Sequence, residues 1–405
     1  MNNNISFVPA EHRCSGCAAC IAVCPAGAIR LRENSIGFYE ALVDAEKCNL
    51  CGRCRAVCAQ ASPKEGIPLR SCELFAMHST AAETVRGCSS GGIAHELSKL
   101  ALQRGRHVIG AAYDLTTNRV QHIEINNMAQ LPLLDGSKYL QSNPEKAFET
   151  AMRKAYDDRE AKFLVFGTPC QIAGMAAAAE SIGIREQFLL VEIFCHGVPS
   201  YRLWDETVKA ARKKLSSQQF DRVRFRYKKN DWHSYCLRID ADGRTYYGKR
   251  ETELFWQVFF ENILLNDACY NCAARKDYSA ADIRLGDYWG ARFRQRSDGV
   301  SAVFAITPRG KLAVRQLTEA GRAELLNPGT ADEMLSAQNM EGYNQREIHD
   351  KALDALRNGT DIKTVVRQYR RSLTLKQQFK HLLLSGSVVI PDNTRSKIRK
   401  IIHRG

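Results

Sequence analysis

Long hydrophobic runs are missing from this chain of 405 residues. The longest candidate, Leu382 to Ile390, is broken by Ser385-Gly386-Ser387, and no stretch approaches the roughly eighteen apolar residues of a membrane-spanning helix. Residues 1–13 have no apolar core of the kind found in secretory signals. Walker-type phosphate loops, serine nucleophile elbows and zinc-protease motifs are also absent from the sequence. The missing motifs exclude the mechanisms that depend on them. The missing signal and membrane span predict a protein of the reducing cytoplasm.

Acidic residues are scarce in one part of the chain only. From Lys351 to Gly405 there are 13 Lys and Arg against 3 Asp and Glu, which gives this segment +10 of the net +14. Leu373–Ile390 and Arg395–Arg404 have the composition of a segment that lies on an anionic membrane at the inner face, although a polar helical face packed on the body is an equal alternative. The segment has few aromatics and no nucleic-acid-binding fold, so no nucleic acid is expected as a partner.

Cysteine, by contrast, is abundant, with 15 residues. In a reducing compartment, clustered cysteines indicate metal ligands or redox groups before disulfides. Cys14 to Cys24 and Cys48 to Cys58 have the same internal spacing, and both runs end in Ala-Val-Cys. The first 66 residues therefore contain an internal repeat of two cysteine loops.

Triplets of cysteines three apart supply three corners of an iron–sulfur cubane, and in two-cluster ferredoxins the fourth ligand crosses from the other run. Zinc, the alternative, favours pairs of cysteines. Two 4Fe–4S clusters are therefore predicted. The first set of ligands is Cys14, Cys17, Cys20 and Cys58, and the second set is Cys24, Cys48, Cys51 and Cys54.

A different pattern begins near residue 85, where strands and helices alternate. The apolar run Phe163–Phe166 ends at Gly167-Thr168-Pro169-Cys170, and Leu189–Phe194 ends at Cys195-His196-Gly197; a helix follows each. Open α/β sheets build their ligand sites at such carboxyl ends of strands.

Seven cysteines remain outside the repeat, and four of them lie in Gly/Pro-marked loops or in a C-x-x-C pair. We predict that this third set binds a third cluster, the alternative being free thiols plus a structural zinc site. The third set is Cys170, Cys195, Cys269 and Cys272. No role is predicted for Cys72, Cys88 and Cys236.

Five motifs follow one another in a fixed order. They are Ser89-Ser-Gly-Gly92, Gly136-Ser-Lys-Tyr139, Gly167-Thr-Pro-Cys-Gln171, Phe194-Cys-His-Gly-Val-Pro-Ser200 and Asp282-Ile-Arg-Leu-Gly-Asp-Tyr-Trp-Gly290. Together with the cysteines, this set resembles the coenzyme F-420 hydrogenase/dehydrogenase beta-subunit family from about residue 10 to residue 310. The resemblance implies FAD, 4Fe–4S clusters, and electron transfer between them.

The same motifs contain the candidate flavin and catalytic residues. Glycines before a helix let its free amides approach a pyrophosphate, and a lysine neutralises phosphate or a reduced flavin. The predicted cofactor-binding residues are Ser90, Gly91, Gly92, Lys138, Tyr139 and Thr168. His196, as a proton donor beside Cys195, and Asp287 are the predicted catalytic residues, with a purely structural role as the alternative.

The predicted fold is α+β or α/β: a ferredoxin-like two-cluster domain (residues 1–66), a larger α/β flavin-binding domain (67–330) and a helical basic tail (331–405). The predicted function is that of an iron–sulfur flavoprotein oxidoreductase. It would pass electrons from a ferredoxin or a redox partner protein to a small-molecule acceptor, either coenzyme F-420 or a substrate of a polysaccharide pathway. The alternative is an electron-transfer component of a larger complex, without a substrate of its own.

Overall fold

The computed structural model describes residues 14–228, 231–338 and 346–373. Within these ranges the strands are β1 (Ile29–Glu33), β2 (Tyr39–Val43), β3 (Ile67–Pro68), β4 (Glu73–Ser79), β5 (His107–Asp114), β6 (Arg119–Ile125), β7 (Ser142–Asn143), β8 (Phe163–Gly167), β9 (Phe188–Ile193), β10 (Arg222–Arg224), β11 (Cys236–Ala241), β12 (Arg244–Lys249), β13 (Tyr278–Ser279), β14 (Ile283–Asp287), β15 (Ser301–Ala305) and β16 (Ala323–Leu326).

The α-helices of the same ranges vary from one turn to fifteen residues in length. They are α1 (Ala19–Ala22), α2 (Arg53–Ala56), α3 (Ala82–Gly87), α4 (Ile93–Gln103), α5 (Glu145–Asp157), α6 (Pro169–Ser181), α7 (Tyr201–Leu215), α8 (Leu254–Glu261), α9 (Asp267–Tyr270), α10 (Pro308–Glu319), α11 (Ala331–Ser336), α12 (Arg346–Arg357) and α13 (Ile362–Ser372).

A mixed nine-stranded sheet, ordered β16-β4-β15-β14-β9-β8-β5-β6-β7, forms the centre of the molecule. Strands β14, β9, β8 and β5 run parallel to one another, and antiparallel strands flank them on both sides. Every residue of β15 is buried, as is nearly all of β8, because helices cover both faces of the sheet. The predicted mixed α/β architecture is therefore confirmed.

Local sequence explains where the two helices after β8 and β9 begin. Thr168 caps α6 in a reciprocal capping box with Gln171, and Pro169 occupies the first helical turn. Ser200 caps α7 by accepting a hydrogen bond from the Arg202 amide. Each helix is the next element after its strand, so both connecting loops lie at the carboxyl edge of the parallel strands.

The cysteine repeat packs directly on this body. Hairpin β1–β2 lies against the start of α7, where the Ser200 hydroxyl donates to the Ile36 carbonyl at 2.6 Å and the Tyr201 amide donates to the Gly37 carbonyl. Arg119 of β6 pairs with Glu33 at 2.8 Å. Helix α1 also packs against α5 and α6. The hairpin and the first cysteine loop are thus held beside the sheet.

Two elements differ from the expectation. The apolar pattern predicts a helix through Leu265, but α8 ends at Glu261 because Asn262 adopts a left-handed conformation with φ of 57°. The alternation Val223, Phe225, Tyr227 predicts a strand, yet β10 pairs with β11 only through Arg224. In both cases the apolar residues remain buried or half-buried, so burial continues beyond the regular element.

The described part of the predicted helical tail packs into the body. Buried side chains of α12 and α13, including Leu353 and Val365, share one core with Trp204 of α7 and Trp256 of α8. The strongly basic segment beyond residue 373 lies outside the described residues, and with it most of the predicted membrane-contact segment. Among the described residues, no helix is long and apolar enough to cross a membrane.

Candidate functional site

The two N-terminal cysteine loops share an unusual backbone. The residue before the second cysteine and the residue after it both have positive φ: Gly16 and Ala18 in the first loop, Leu50 and Gly52 in the second, with φ between 59° and 73°. Alanine and leucine rarely adopt this conformation, which is strained for residues with a Cβ and is retained where surrounding structure demands it. The repeat in sequence is therefore a repeat in conformation.

The structure brings the first set of cysteines together. Burial raises the pKa of the Cys14 and Cys20 thiols and raises that of Cys17 to about 12, and the neighbouring Cys58 adds to each rise. Backbone amides point at the sulfur of Cys14, from Gly16 at 3.4 Å and from Ala41 at 3.5 Å. Such a buried group of thiols is stable as thiolates only around bound cations, which suits an iron–sulfur cluster.

The second set is closer to the surface. Burial raises the pKa of the Cys54 thiol, and Cys51 and Cys24 contribute to the rise, so the ligand that crosses from the first run lies near the second loop. Cys24 accepts a hydrogen bond from the Ala28 amide at 3.3 Å. Cys51 is exposed, and Leu50 beside it is 72% exposed. Cys48 begins the same loop.

The third set also converges, although its members come from separate parts of the chain. Burial raises the pKa of the Cys195 thiol to about 11 and holds those of Cys170 and Cys269 above their usual range, and Cys272 adds to all three rises. Cys170 begins α6, Cys195 follows β9, and Cys269 lies in α9. The fold thus assembles four thiols at the carboxyl edge of the sheet.

The first and third sets adjoin each other. Cys17 contributes to the raised pKa of Cys170. Gly174, one turn further along α6, lies so close to α1 that an added Cβ would meet the Ala19 Cβ at 2.7 Å and the Cys17 sulfur at 3.3 Å. A glycine is required at this crossing because the backbone of α6 approaches the first cysteine loop directly.

A cavity of about 680 Å³ opens beside the third set, at the carboxyl ends of β8, β9 and β14. Its volume lies within the range of small-molecule sites, roughly 300–1,000 Å³. Its wall contains one member of the third set and most of the predicted flavin and catalytic residues: Cys195, Ser90, Gly92, Lys138, Tyr139, Thr168, His196 and Asp287.

The glycine motif lies where α4 begins. Gly92 has φ of +85° and immediately precedes the helix, while the Ser90 hydroxyl donates to the Val300 carbonyl at 2.8 Å. Gly91 does not line the cavity: an added Cβ there would meet the Met77 carbonyl oxygen at 2.6 Å. Its Cα therefore packs closely against β4.

Lys138, Thr168 and Tyr139 all line the cavity. The Lys138 ammonium donates to the Asp135 carbonyl at 2.9 Å, and burial lowers its pKa to about 8. The Thr168 hydroxyl lies 3.2 Å from the Cys170 sulfur. Tyr139 is enclosed by aromatic rings, with Trp256 at 5.0 Å between centroids. Lys138 therefore lies beside Asp135, while Thr168 lies beside the third set.

The two predicted catalytic residues have different surroundings. Burial lowers the pKa of His196 to about 4, and its Nε2 lies 2.6 Å from the Asn262 side-chain oxygen, so the neutral imidazole is favoured. Asp287 receives a hydrogen bond from buried Arg226 at 2.6 Å on one oxygen. The other oxygen, Oδ1, is buried and has no partner among the described residues. Asp287 therefore keeps a free acceptor for a ligand.

Three cavity residues were missed by sequence reasoning. His95 and Asp135 form a pair with 2.8 Å between Nδ1 and the carboxylate, and Cys88 lies 3.8 Å from the same oxygen. Burial lowers the pKa of His95, but Asp135 outweighs this and leaves it raised. The available signal was position: His95 follows Gly92 by three residues, and Asp135 directly precedes the Gly136-Ser-Lys-Tyr139 motif.

His122 of β6 was missed as well. Its Nε2 donates to the Phe166 carbonyl at 3.0 Å, whereas Nδ1 is buried with no partner in the part of the chain that the structure describes. Burial lowers its pKa to about 4, so Nδ1 carries a lone pair at the cavity wall. Like Asp287 Oδ1, this atom is open to a donor from a bound molecule or a water.

Comparison with known proteins gives matches for both parts of the chain. Residues 13–62 match the family described as "4Fe-4S dicluster domain". Residues 160–330 match the family formed by the C terminus of the beta subunit of coenzyme F420 hydrogenase/dehydrogenase. The first match includes all eight cysteines of the repeat, and the second includes all four of the third set.

Two curated relatives are similar over parts of the chain. One is a component of the F420H2 dehydrogenase of Methanosarcina mazei, 24% identical over 228 residues, which cover 52% of this chain and 63% of the relative. The other is a component of an ion-translocating oxidoreductase complex of Methanosarcina acetivorans, 46% identical over 60 residues, which cover 15% of this chain and 19% of the relative. The chain thus matches less than two thirds of the length of either relative.

One solved structure covers more of the chain. The F420-reducing [NiFe] hydrogenase complex from Methanosarcina barkeri contains a chain that matches 71% of this one, with 94% of its own length covered, a TM-score of 0.49 and 16% identity. At that level the likeness does not identify a shared site.

Proposed function

The chain is a relative of the beta subunits of coenzyme F420 hydrogenases and dehydrogenases and carries a 4Fe–4S dicluster domain; on that premise we propose that it is an iron–sulfur flavoprotein oxidoreductase. It takes electrons from a ferredoxin-type donor or a redox partner protein and passes them to a small organic acceptor. One observation carries the proposal above all: a single large cavity is lined both by Cys195 of the third set and by the predicted flavin residues.

The route begins at the dicluster loops and continues through the body. The close approach of α6 to α1 at Gly174 brings Cys170 of the third set beside Cys17 of the first. Cys195 then joins the third set to the cavity wall. We propose that the third set binds a 4Fe–4S cluster, because four thiols without disulfide partners converge there.

The cavity residues fit a flavin nucleotide. The free amides at the start of α4 and the Lys138 ammonium suit the pyrophosphate. The buried acceptors Asp287 Oδ1 and His122 Nδ1 suit the donor groups of a ring system. When bound, FAD supplies the conversion between single electrons and a hydride that clusters alone do not perform.

Cations and aromatic rings at another part of the cavity suit the acceptor. Arg250 stacks over Phe260 at 4.0 Å, and Trp289 and Tyr235 form a neighbouring aromatic wall. A planar acceptor with anionic groups, such as coenzyme F-420, matches this surface, since aromatic faces stack on rings and guanidinium groups pair with anions. A substrate of a polysaccharide pathway is the second acceptor class.

Proton supply in the cavity falls to His95 and Asp135. The pair lies at 2.8 Å, lines the cavity, and has a raised imidazole pKa, so His95 holds a proton closer to neutral pH than His196 does. A general acid works best when its pKa is near the working pH. We assign hydrogen bonding, rather than proton donation, to His196.

Anaerobic purification with iron, sulfide and flavin analysis tests the proposal. Three cubane clusters correspond to about twelve iron atoms per chain, with one flavin. Two cubanes contain about eight irons, so a lower iron content would reject even the two clusters of the dicluster domain. A protein that neither contains nor binds flavin would reject the reductase.

An electron-transfer component without its own substrate is the second candidate, favoured because both curated relatives are parts of multi-component redox enzymes. Reduction of the isolated chain with dithionite, followed by addition of coenzyme F-420 or other acceptors, separates the two. Reoxidation of the chain by an acceptor in the absence of partners supports the reductase, whereas reoxidation only by a partner protein supports the second candidate.

A further inference from the structure

Gln60 is buried beside the first set of cysteines and has no hydrogen-bond partner there. Its side chain is 3% exposed, and neither Oε1 nor Nε2 is paired with any described residue. It lines a small cavity of about 30 Å³ whose wall otherwise consists of cysteines, short apolar side chains and one serine: Cys14, Ser15, Cys17, Ala18, Cys20, Ile29, Ala41, Val43, Cys54 and Cys58.

An unpaired primary amide in such a place requires an explanation. Folded proteins pair nearly all of their buried polar groups, and an exception points to a missing ligand, ion or water. The cavity contains all four cysteines of the first set, so a cluster bound by them lies next to Gln60. The sulfur atoms of a cluster accept hydrogen bonds, and Nε2 is a donor.

We propose that the Gln60 amide donates a hydrogen bond to a sulfur of the cluster held by the first set and thereby raises the reduction potential of that cluster. Reduction adds negative charge to a cluster, and a donor at its sulfur stabilises the more negative state. The inference depends on the dicluster domain alone, since residues 13–62 include Gln60, and it stands apart from the proposed flavin site.

The internal repeat provides a built-in comparison. Gln60 follows Cys58 by two residues, and the corresponding position after Cys24 is Ala26, which has no side-chain donor. The first cluster therefore receives a hydrogen bond that the second does not. This asymmetry places the first cluster at the higher potential, so that one electron leaves the second cluster and reduces the first, with no proton or bond exchanged.

The direction agrees with the surroundings of the two sets. The second set includes exposed Cys51, where a donor protein has access. The first set lies inside, with Cys17 next to Cys170 of the third set. A higher potential at the first set draws electrons inward from the surface.

Potentiometric titration of the anaerobic full-length protein, followed by electron paramagnetic resonance, tests the inference. Gln60→Leu removes the donor and leaves an apolar side chain of similar volume, and Gln60→Glu keeps the shape and replaces the donor with an acceptor oxygen. We expect the potential of the first cluster to fall in both variants, more in the glutamate. At the wild-type midpoint, the ratio of reduced to oxidised first cluster falls about tenfold in the leucine variant, which is 59 mV for a one-electron couple.

A second measurement and a reciprocal variant keep the test decisive if a Gln60 variant fails to assemble the first cluster. Pulsed resonance in D₂O detects the exchangeable protons near the first cluster, which include the Gly16 and Ala41 amides beside Cys14. Gln60→Leu removes only the coupling of the Gln60 amide and leaves those of the backbone amides. Ala26→Gln adds a donor next to the second cluster and raises that potential instead. Unchanged potentials in Gln60→Leu and Gln60→Glu with full iron content, or an unaltered deuterium coupling, would overturn the inference. If neither Gln60 variant assembles the cluster, the Ala26→Gln result decides in the same way.

Discussion

The first and third sets of cysteines contain the same number of thiols but are assembled differently. Three members of the first set lie in one loop, and the fourth crosses from an identically spaced loop 34 residues later. The third set is spread from Cys170 to Cys272 and meets only because β8, β9 and α9 end at the same edge of the body. The first kind of site is fixed by spacing, whereas the second depends on the whole sheet.

The sharpest test of this difference removes one thiol from the assembled set. Cys195→Ser is expected to lose about four of about twelve irons, since a cubane rarely survives without one thiolate, and to leave both dicluster signals intact. Iron analysis and electron paramagnetic resonance measure the result. The matched variant Cys17→Ser is expected to lose a dicluster signal instead. Equal iron content in Cys195→Ser and the unaltered protein would remove the third cluster from the proposal.

A second test weakens the sheet edge without touching a cysteine. Arg226→Met leaves the Asp287 carboxylate without its ion-pair partner in a buried site, which costs about 3–5 kcal/mol. In anaerobic denaturation, we expect the third-set signal to disappear at lower denaturant while the dicluster signals change little. Arg222→Met, at an exposed position in β10, is the control, with an effect within about 0.5 kcal/mol. Simultaneous loss of all signals in Arg226→Met would mean that the two regions unfold as one.

A third test separates the two regions at their contact. Gly174→Ala gains about 1 kcal/mol in helix propensity, but its Cβ meets Ala19 at 2.7 Å, and such overpacking costs about 1–3 kcal/mol. We expect net destabilisation and slower electron transfer from the first set to the third, measured by rapid-mixing reduction. Ala173→Ser on the same helix controls for the substitution itself. A Gly174→Ala protein as stable and as fast as the unaltered one would contradict the contact.

The smallest expected effect is a shift of the His95 pKa when its partner in the cavity, Asp135, is changed. Asp135 holds the His95 pKa raised, so the interaction stabilises the folded protein fully below the ordinary histidine pKa of about 6.5, and this contribution is lost as pH rises through the higher folded value. Asp135→Asn should lower the His95 pKa and move the alkaline fall in activity to lower pH. Nuclear magnetic resonance titration of His95 measures the first effect. Asp135→Glu should restore it, and an unmoved His95 titration in Asp135→Asn would reject the pair.

Sequence patterns were sufficient where local chemistry decides the structure. The apolar runs Phe163–Phe166 and Leu189–Phe194, with the loops that end them, predict β8, β9 and the helices that follow. The cysteine spacing predicts the first set in the same way. These features are encoded within a few residues and do not depend on distant parts of the chain.

Other features depend on tertiary contacts that no local pattern contains. The end of α8 at Asn262 places an amide oxygen 2.6 Å from His196, whereas the apolar run alone suggests a longer helix. The hydrogen bond between His95 and Asp135 joins two residues that are 40 positions apart in the sequence. Gly91 belongs to the glycine motif before α4, but its close approach to the Met77 carbonyl oxygen follows from the folded sheet and not from the motif.

Exposure of the second cysteine loop also has a chemical cost for the molecule. Cys51 and Leu50 lie at the surface, so the path that the proposed redox partner would use also admits dioxygen. Oxidation of cysteine sulfur follows accessibility. In air a cluster on the second set should therefore be lost before one on the first, and the chain would be disconnected from its proposed electron donor while its interior sites remain whole.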